Sequence, residues 1–109
     1  MSDTRNLIEL CTKDEIPEGE VIRVDKDELE LAVYHVGDRF YVTDNACTHG
    51  PGELSEGYLE GHVIECDFHS GQFDIRNGEV VAPPCILKLK TYKVVPHDTA
   101  VMIEAPAAD

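Results

Sequence analysis

Two cysteines and two histidines occupy matched positions in the middle of the chain. The first pair lies in Cys47-Thr48-His49, and the second pair follows after sixteen intervening residues in Cys66-Asp67-Phe68-His69. Thiolates and imidazoles are ligands that suit zinc and iron–sulfur centres. A single cysteine or histidine is often structural, but four at matched positions among glycines indicate two ligand loops. We therefore interpret Cys47, His49, Cys66 and His69 as the ligands of one metal centre.

The spacing of these four residues distinguishes between the two kinds of centre. Zinc fingers usually begin with a closely spaced cysteine pair, and the chain has no such pair. A [2Fe–2S] centre of the Rieske type has two cysteines on one iron and two histidines on the other. A Cys-x-His loop followed by a Cys-x2-His loop supplies one ligand of each kind per loop. The spacing favours the iron–sulfur centre, and a zinc-binding interaction module is kept as the alternative.

The elements around the ligands are predicted to be short strands joined by tight turns. The dipeptides Gly37-Asp38 and Asn77-Gly78 predict hairpin turns, because glycine accepts positive φ. Thr12 is expected to cap a single helical turn that Pro17 ends. Period-two patterns and β-branched residues predict eight strands, over Val21–Val24, Leu31–Val36, Phe40–Thr43, Val63–Cys66, Gln72–Ile75, Glu79–Val81, Leu87–Val95 and Ala100–Glu104. These patterns predict an all-β fold.

The segment between Phe40 and Leu87 differs in composition from both ends of the chain. It contains one basic residue, Arg76, against eight acidic residues, and it holds six of the eight glycines. A loop-rich segment without a large apolar core of its own needs another source of order, and a bound metal centre would provide it. The composition therefore agrees with the ligand pattern.

The composition of the whole chain limits the possible functions. The length of 109 residues indicates a single domain. The formal net charge of -13 argues against nucleic acid or an anionic membrane surface as a partner. No apolar run approaches the roughly 20 residues of a membrane span, and the first residues lack the apolar stretch of a signal peptide. A cytoplasmic location is the default expectation, and there thiols stay reduced.

Residues 47–50 and 66–74 resemble the two ligand loops of Rieske proteins, and Ala82-Pro83-Pro84 resembles the proline-bearing third loop of that family. The resemblance extends over nearly the whole chain and is strongest to the ferredoxins of bacterial aromatic-ring-hydroxylating dioxygenases. It implies an antiparallel β-sandwich base with a small inserted cluster-binding subdomain. We expect the base to comprise approximately residues 1–44 and 83–109, and the subdomain approximately residues 45–82.

The chain departs from the respiratory members of this family at four positions. Gly52 and Phe68 stand where those proteins have a disulfide, and Gly71 and Phe73 stand where they have a serine and a tyrosine near the cluster. Hydrogen-bond donors to the cluster sulfurs raise the reduction potential. We therefore expect a potential near the low end of the Rieske range, which begins at about -150 mV.

The resemblance implies a soluble, monomeric one-electron carrier with no catalytic residues of its own. Its partners would be an NAD(P)H-dependent flavoprotein reductase and a terminal oxygenase, which dock in turn at the tip formed by His49 and His69. Glu53, Glu56 and Asp67 are expected to form an acidic rim around this tip. A small Rieske subunit of another oxidoreductase complex is the alternative, while a complete oxygenase would need a second iron site and a longer chain.

The remaining cysteines and histidines receive structural interpretations. Cys11 and Cys85 are expected to be buried small hydrophobic residues. His35 is expected to be structural in a strand, His62 to lie in a strand near the surface, and His97 to lie in a turn. None of them has the spacing of a ligand loop.

Overall fold

The computed structural model describes residues 7–26, 28–46, 52–66, 71–83 and 87–104. Within these ranges, short 3-10 helices cover Lys13–Glu15 and Leu54–Glu56. The strands are β1 (Leu7–Thr12), β2 (Val21–Lys26), β3 (Leu29–Val36), β4 (Arg39–Asp44), β5 (Tyr58–Glu60), β6 (Val63–Glu65), β7 (Gln72–Asp74), β8 (Val80–Ala82), β9 (Thr91–Tyr92), β10 (Val94–Val95) and β11 (Ala100–Glu104). No helix in these ranges has the length and apolar character needed to cross a membrane.

The strands form three antiparallel sheets. The first sheet has the order β1-β11-β10, the second β2-β3-β4-β9, and the third β5-β6-β7-β8. The first two sheets draw their strands from both ends of the described chain, whereas the third uses only residues 58–82. The all-β fold with antiparallel pairing, predicted from the sequence, is confirmed.

The strand β3 lies at the centre of the molecule, because both of its faces are buried. Leu31 and Val33 belong to a buried cluster with residues of the first sheet, such as Ile103. Ala32 and Tyr34 point the other way, as alternation in a strand requires, and belong to a second cluster that extends into the third sheet. The second sheet is therefore the middle layer, and the third sheet packs on the face of β3 opposite the first.

Most predicted strands and both predicted hairpin turns are confirmed. Gly37 joins β3 to β4 with φ +64°, and Gly78 follows β7 with φ +79°. A Cβ atom at Gly78 would also lie 2.0 Å from the Leu89 carbonyl oxygen, so glycine is required there for close approach. Thr12 caps the predicted helical turn, in which its side chain and that of Glu15 form a capping box.

The prediction of one strand over Leu87–Val95 is wrong. Leu87–Lys90 is not in a strand, and the remainder forms β9 in the second sheet and β10 in the first. Lys93 lies between β9 and β10, where the chain changes from one sheet to the other. A continuous strand cannot make that change, so the alternating pattern is interrupted.

Candidate metal centre

The first ligand loop is closed at its base by Asn45, which is 1% exposed. Its Oδ1 accepts a hydrogen bond from the Ser55 backbone N–H at 2.9 Å, and its backbone carbonyl accepts one from Leu54 N–H at 2.8 Å. An antiparallel bridge pairs Ala46 with Glu53. Residues 47–51, which include the predicted ligands Cys47 and His49, lie outside the described residues. Ala46 and Glu53, which flank this loop, are nevertheless held next to each other.

An arginine from another strand braces this closure. One guanidinium nitrogen of Arg23 lies 2.9 Å from Glu53 Oε1, and the same carboxylate oxygen accepts a hydrogen bond from Asn45 Nδ2 at 3.3 Å. Arg23 also contacts Asp25 at 2.9 Å and Glu30 at 3.6 Å. Asp25 and Glu53 raise the pKa of Arg23 above its usual value, chiefly through the hydrogen bond that Arg23 donates to Asp25. The exit of the first loop is thus tied to β2.

The strand end before the first loop is held by a chain of hydroxyl groups. Tyr34 is fully buried and donates to Thr43 Oγ1 at 2.9 Å, and Thr43 in turn donates to the Asp44 carbonyl at 2.8 Å. Tyr92 donates to the Asp44 carboxylate at 2.5 Å. Burial raises the pKa of both tyrosines, so they stay protonated donors at neutral pH. These contacts fix the direction of the backbone between the end of β4 and Asn45.

The second ligand loop begins at Cys66, directly after β6. Cys66 is 1% exposed, and its backbone N–H donates to the Gly71 carbonyl at 2.7 Å. This bond closes a hairpin whose tip, residues 67–70, lies outside the described residues and includes the predicted ligand His69. Next to the bond, Gln72 Nε2 donates to Glu65 Oε1 at 3.1 Å. Cys66 therefore stands at the mouth of a loop that starts and ends at adjacent points.

Gly57 brings the two loop bases together. A Cβ atom at Gly57 would lie 2.0 Å from the backbone oxygen of Glu65, so only glycine permits this approach. The contact holds residues 52–57 close to the end of β6, one residue before Cys66. Leu54, Cys66 and Phe73 also share one buried cluster. The two loops therefore start from neighbouring positions at the same end of the molecule.

The third loop begins at the same end. Ala82 pairs with Gln72 in the third sheet, and Pro83 follows it at the surface. Pro84 and Cys85 lie outside the described residues.

Of the positions predicted to lack a hydroxyl donor, Phe73 is fully buried in the cluster that contains Cys66. A phenyl ring therefore occupies the position where the respiratory proteins are expected to have a hydroxyl.

Cys11 and the histidines outside the ligand loops have structural roles. Burial raises the pKa of Cys11 to about 11, with smaller contributions from Glu15 and Glu9, and a neutral buried thiol agrees with its predicted role. His35 Nδ1 lies 2.8 Å from the Ile16 carbonyl, and its ring stacks on Phe40 at 4.2 Å.

The other two histidines both lie in turns. His97 Nδ1 accepts hydrogen bonds from the backbone N–H groups of Thr99 and Ala100, which confirms the predicted turn. The prediction of a strand at His62 is wrong. His62 lies in the turn between β5 and β6, where its carbonyl accepts the Ile75 N–H, so a two-residue turn rather than a longer strand precedes β6.

The chemistry of the donor set fits an iron–sulfur centre. Cys66 offers a thiol sheltered from water at the mouth of a closed hairpin, and a second closed loop carrying Cys47 and His49 starts beside it. Within the described ranges no group of three potential ligands is assembled, because three of the four predicted ligands lie outside them. The assignment of Cys47, His49, Cys66 and His69 as ligands stays a prediction.

Sequence reasoning did not find several residues that position these loops. The bonds of Asn45 to the far side of the loop were not predicted from the sequence. The pair Arg23 and Glu53 joins residues thirty positions apart, and no local signal reveals it. Gly57 carries a partial signal, since a glycine between two apolar residues often marks close backbone approach.

Comparison with known proteins identifies the family. The family described as Rieske [2Fe-2S] domain matches residues 6–93. The ferredoxin component of the naphthalene 1,2-dioxygenase/salicylate 5-hydroxylase systems of Ralstonia sp is 42% identical over 101 residues, which are 93% of this chain and 97% of that protein.

Solved structures give the same result. The Sphingomonas yanoikuyae B1 ferredoxin has a TM-score of 0.88 and 43% identity, covering 93% of this chain and all of that one. A ferredoxin in a complex of reduced oxygenase and oxidized ferredoxin of carbazole 1,9a-dioxygenase has a TM-score of 0.84 and 38% identity, covering 90% and 92%.

The chain therefore belongs to the Rieske [2Fe–2S] domain family. Its cofactor is a Rieske-type [2Fe–2S] cluster, which confirms the metal predicted from the ligand spacing and rules out the zinc module. Its close relatives are ferredoxin components of dioxygenase systems, that is, electron carriers without catalytic activity of their own.

Proposed function

We propose that this protein carries single electrons from an NAD(P)H-dependent flavoprotein reductase to the terminal oxygenase of a ring-hydroxylating dioxygenase. The observation that carries the proposal is the match, at 42% identity, to 97% of a ferredoxin component of such a system. The solved structure of carbazole 1,9a-dioxygenase contains a complex of oxygenase and ferredoxin. That ferredoxin has the same fold as this chain at 38% identity, which supports the terminal oxygenase as one partner.

We infer that Cys47 and Cys66 bind one iron and that His49 and His69 bind the other, as the Rieske ligand set requires. When bound, such a cluster accepts and releases one electron. The chain supplies the support for it: Asn45 closes the first loop, and Gly57 seats that loop beside the hairpin of Cys66. Phe73 adds no hydroxyl donor, which supports the expected low reduction potential.

We also propose that both partners dock at the tip formed by His49 and His69. The imidazole ligands belong to loops that begin at one end of the molecule, so this end offers the shortest path for the electron. Glu56 is exposed beside the first loop, whereas the charge of Glu53 is balanced by Arg23. Such contacts are expected to be small and short-lived, as redox encounters are.

The division of the chain into two parts belongs to the same proposal. The third sheet takes its strands only from residues 58–82, which supports a cluster-binding subdomain of approximately residues 45–82. The first two sheets then form the base, approximately residues 1–44 and 83–109. We further propose that the carrier works as a monomer in the cytoplasm, since a mobile shuttle needs to reach two partners.

Reconstitution with purified components tests the electron-transfer role. The holoprotein is mixed with a flavoprotein reductase and NADH, and cluster reduction is followed by visible absorption. Oxygenase, aromatic substrate and oxygen are then added. We expect reduction by the reductase and reoxidation only when the oxygenase is present. A cluster that the reductases of such systems do not reduce, or that the oxygenase leaves reduced, would contradict the proposal.

A further inference from the structure

Four of the nine lysines and arginines in this acidic chain line a single cleft. The cleft has a volume of about 660 Å³, and its basic lining residues are Lys13, Arg39, Arg76 and Lys93. Asp38 is the one acidic residue among its described lining residues. In a protein with a net charge of -13, this clustering gives one place where a negatively charged partner meets little repulsion.

Two of these cations have no counterion in the described part of the chain. Arg76 forms an ion pair with Asp74 at 2.8 Å, and Lys93 lies 3.7 Å from Glu104. For Lys13 and Arg39 the described residues provide no ion pair, and the ammonium group of Lys13 instead lies over the Phe40 ring at 5.9 Å. The cleft therefore presents uncompensated positive charge next to an aromatic side chain.

The basic end of the cleft, at Arg39, lies away from the bases of the ligand loops. The strand β4 begins at Arg39 in the cleft and leads to Ala46 at the first loop, a separation of about 23 Å for seven extended residues. Arg76 follows β7 at its far end, whereas Gly71 and the second loop precede that strand. A partner held in the cleft would leave the cluster end uncovered.

The walls of the cleft are strand edges. β9 pairs with Val42 and Thr43 of β4, so in the described structure residues 39–41 face no strand on that side. Opposite them, β10 is an edge strand of the first sheet. Open edges bind extended peptides through backbone hydrogen bonds, while side-chain pockets add specificity. A small anion would use the charges but not these edges.

We propose that this cleft binds an extended acidic segment of a partner protein, which adds as a strand at the edge of β4 or β10. Its carboxylates would be paired with Lys13 and Arg39. Because Arg39 is remote from the bases of the ligand loops, a component of the electron-transfer system that binds at Arg39 leaves the cluster end of the carrier free to exchange electrons. Binding in the cleft does not depend on the proposed electron-transfer role.

An NMR titration of the 15N-labelled holoprotein tests this proposal with a defined probe. The probe is a blocked hexapeptide that alternates glutamate with threonine or valine, and its control has glutamine in place of glutamate. Signals from the cleft are far enough from the iron to stay observable. We expect amide shifts at residues 39–41 and 94–95 with the acidic peptide, and much smaller shifts with the glutamine peptide.

Charge-matched variants identify the residues responsible. The double variant Lys13→Gln/Arg39→Gln is expected to weaken peptide binding about fivefold, as the loss of two exposed ion pairs predicts. Lys26→Gln/Lys88→Gln removes the same charge outside the cleft and should change affinity less than about twofold. Equal affinity of the two variants, shifts confined to the loop bases at residues 45 and 66, or acetate producing the same shifts as the peptide would overturn the proposal.

Discussion

The two faces of β3 are covered by two buried clusters, and each cluster contains one described cysteine. Cys11 is 7% exposed and lies between the first and second sheets, whereas Cys66 is 1% exposed and lies between the second and third. The two cysteine side chains are therefore buried to a similar extent. The difference lies in the backbone: Cys11 is within β1, while Cys66 directly follows β6 at the start of a hairpin loop.

We propose that this difference in backbone position is what suits Cys66, and not Cys11, to bind the cluster. Desolvation, with smaller contributions from Glu15 and Glu9, raises the pKa of Cys11 to about 11 and makes its thiol inert. Cys66 is equally buried, but it stands where the Cys66–Gly71 backbone bond closes a hairpin, and under the proposed assignment the following loop supplies a second ligand to the same cluster. The position at a closed loop mouth, rather than burial, is the feature that predicts ligation.

Alanine variants of the two cysteines are expected to show the largest difference between these two regions. Cys66→Ala should abolish the visible absorption of the cluster, because an iron loses its thiolate and Rieske sites need all four ligands. Cys11→Ala should keep full absorption and iron content, and should cost only the packing of one small side chain. Retention of the cluster in Cys66→Ala, at an iron content equal to that of Cys11→Ala, would contradict the ligand assignment.

Gly57→Ala tests the contact that joins the two loop bases. The added methyl would lie 2.0 Å from the backbone oxygen of Glu65, so the segment must move away from β6. We expect a loss of about 3 kcal/mol in the free energy of unfolding and faster release of iron. The control, Gly61→Ala, meets no atom within 4 Å and should cost about 1 kcal/mol for its positive φ alone. Equal effects would show that Gly57 does not position the loops.

The strands next to β3 were predictable because their signals are local. Leu31–Val36 combines valines with a tyrosine, which favour strands, and Gly37 marks the turn that returns the chain as β4. The strand β1 was missed, and its register shifts between Glu9 and Cys11, which breaks simple alternation. The strand β5 has only three residues, too few for a pattern to stand out.

The kind of metal centre was predictable from the sequence, but the contacts that support the proposed ligand loops were not. The types and spacing of Cys47, His49, Cys66 and His69 identify the chemistry without any structure. The contacts of Asn45 with Ser55 and of Arg23 with Glu53 depend on which segments the fold brings together. Such long-range contacts leave no trace in local sequence patterns.

Asn45→Ala tests the closure of the first loop. The substitution leaves the part-buried Ser55 N–H without its partner, which is expected to cost about 1–3 kcal/mol of unfolding free energy. Asn77→Ala is the control, because Asn77 also accepts a backbone N–H bond, at 2.9 Å from Glu79, but at an exposed turn. Chemical denaturation of both holoproteins should give a clearly larger loss for Asn45→Ala. A larger loss for Asn77→Ala would argue against the role of Asn45.

The smallest expected effect is a pH dependence caused by Cys11. Its folded-state pKa is raised to about 11 from 9.0, so between these values the unfolded chain releases the thiol proton more readily than the folded chain. Stability should therefore fall as pH rises from 9 to 11. The measurement is the difference in unfolding free energy between the parent and Cys11→Ala, which should narrow or change sign over this range. A difference independent of pH would show that the thiol is not sheltered.

The central claim is that two histidines and two cysteines hold one cluster, and pulsed EPR tests it directly. The reduced protein is labelled with 15N only at histidine, and the nitrogens coupled to the cluster spin are counted. The proposed ligands His49 and His69 predict two coupled histidine nitrogens, unchanged in His62→Asn. A spectrum without histidine coupling, or one that loses a coupled nitrogen in His62→Asn, would contradict the account.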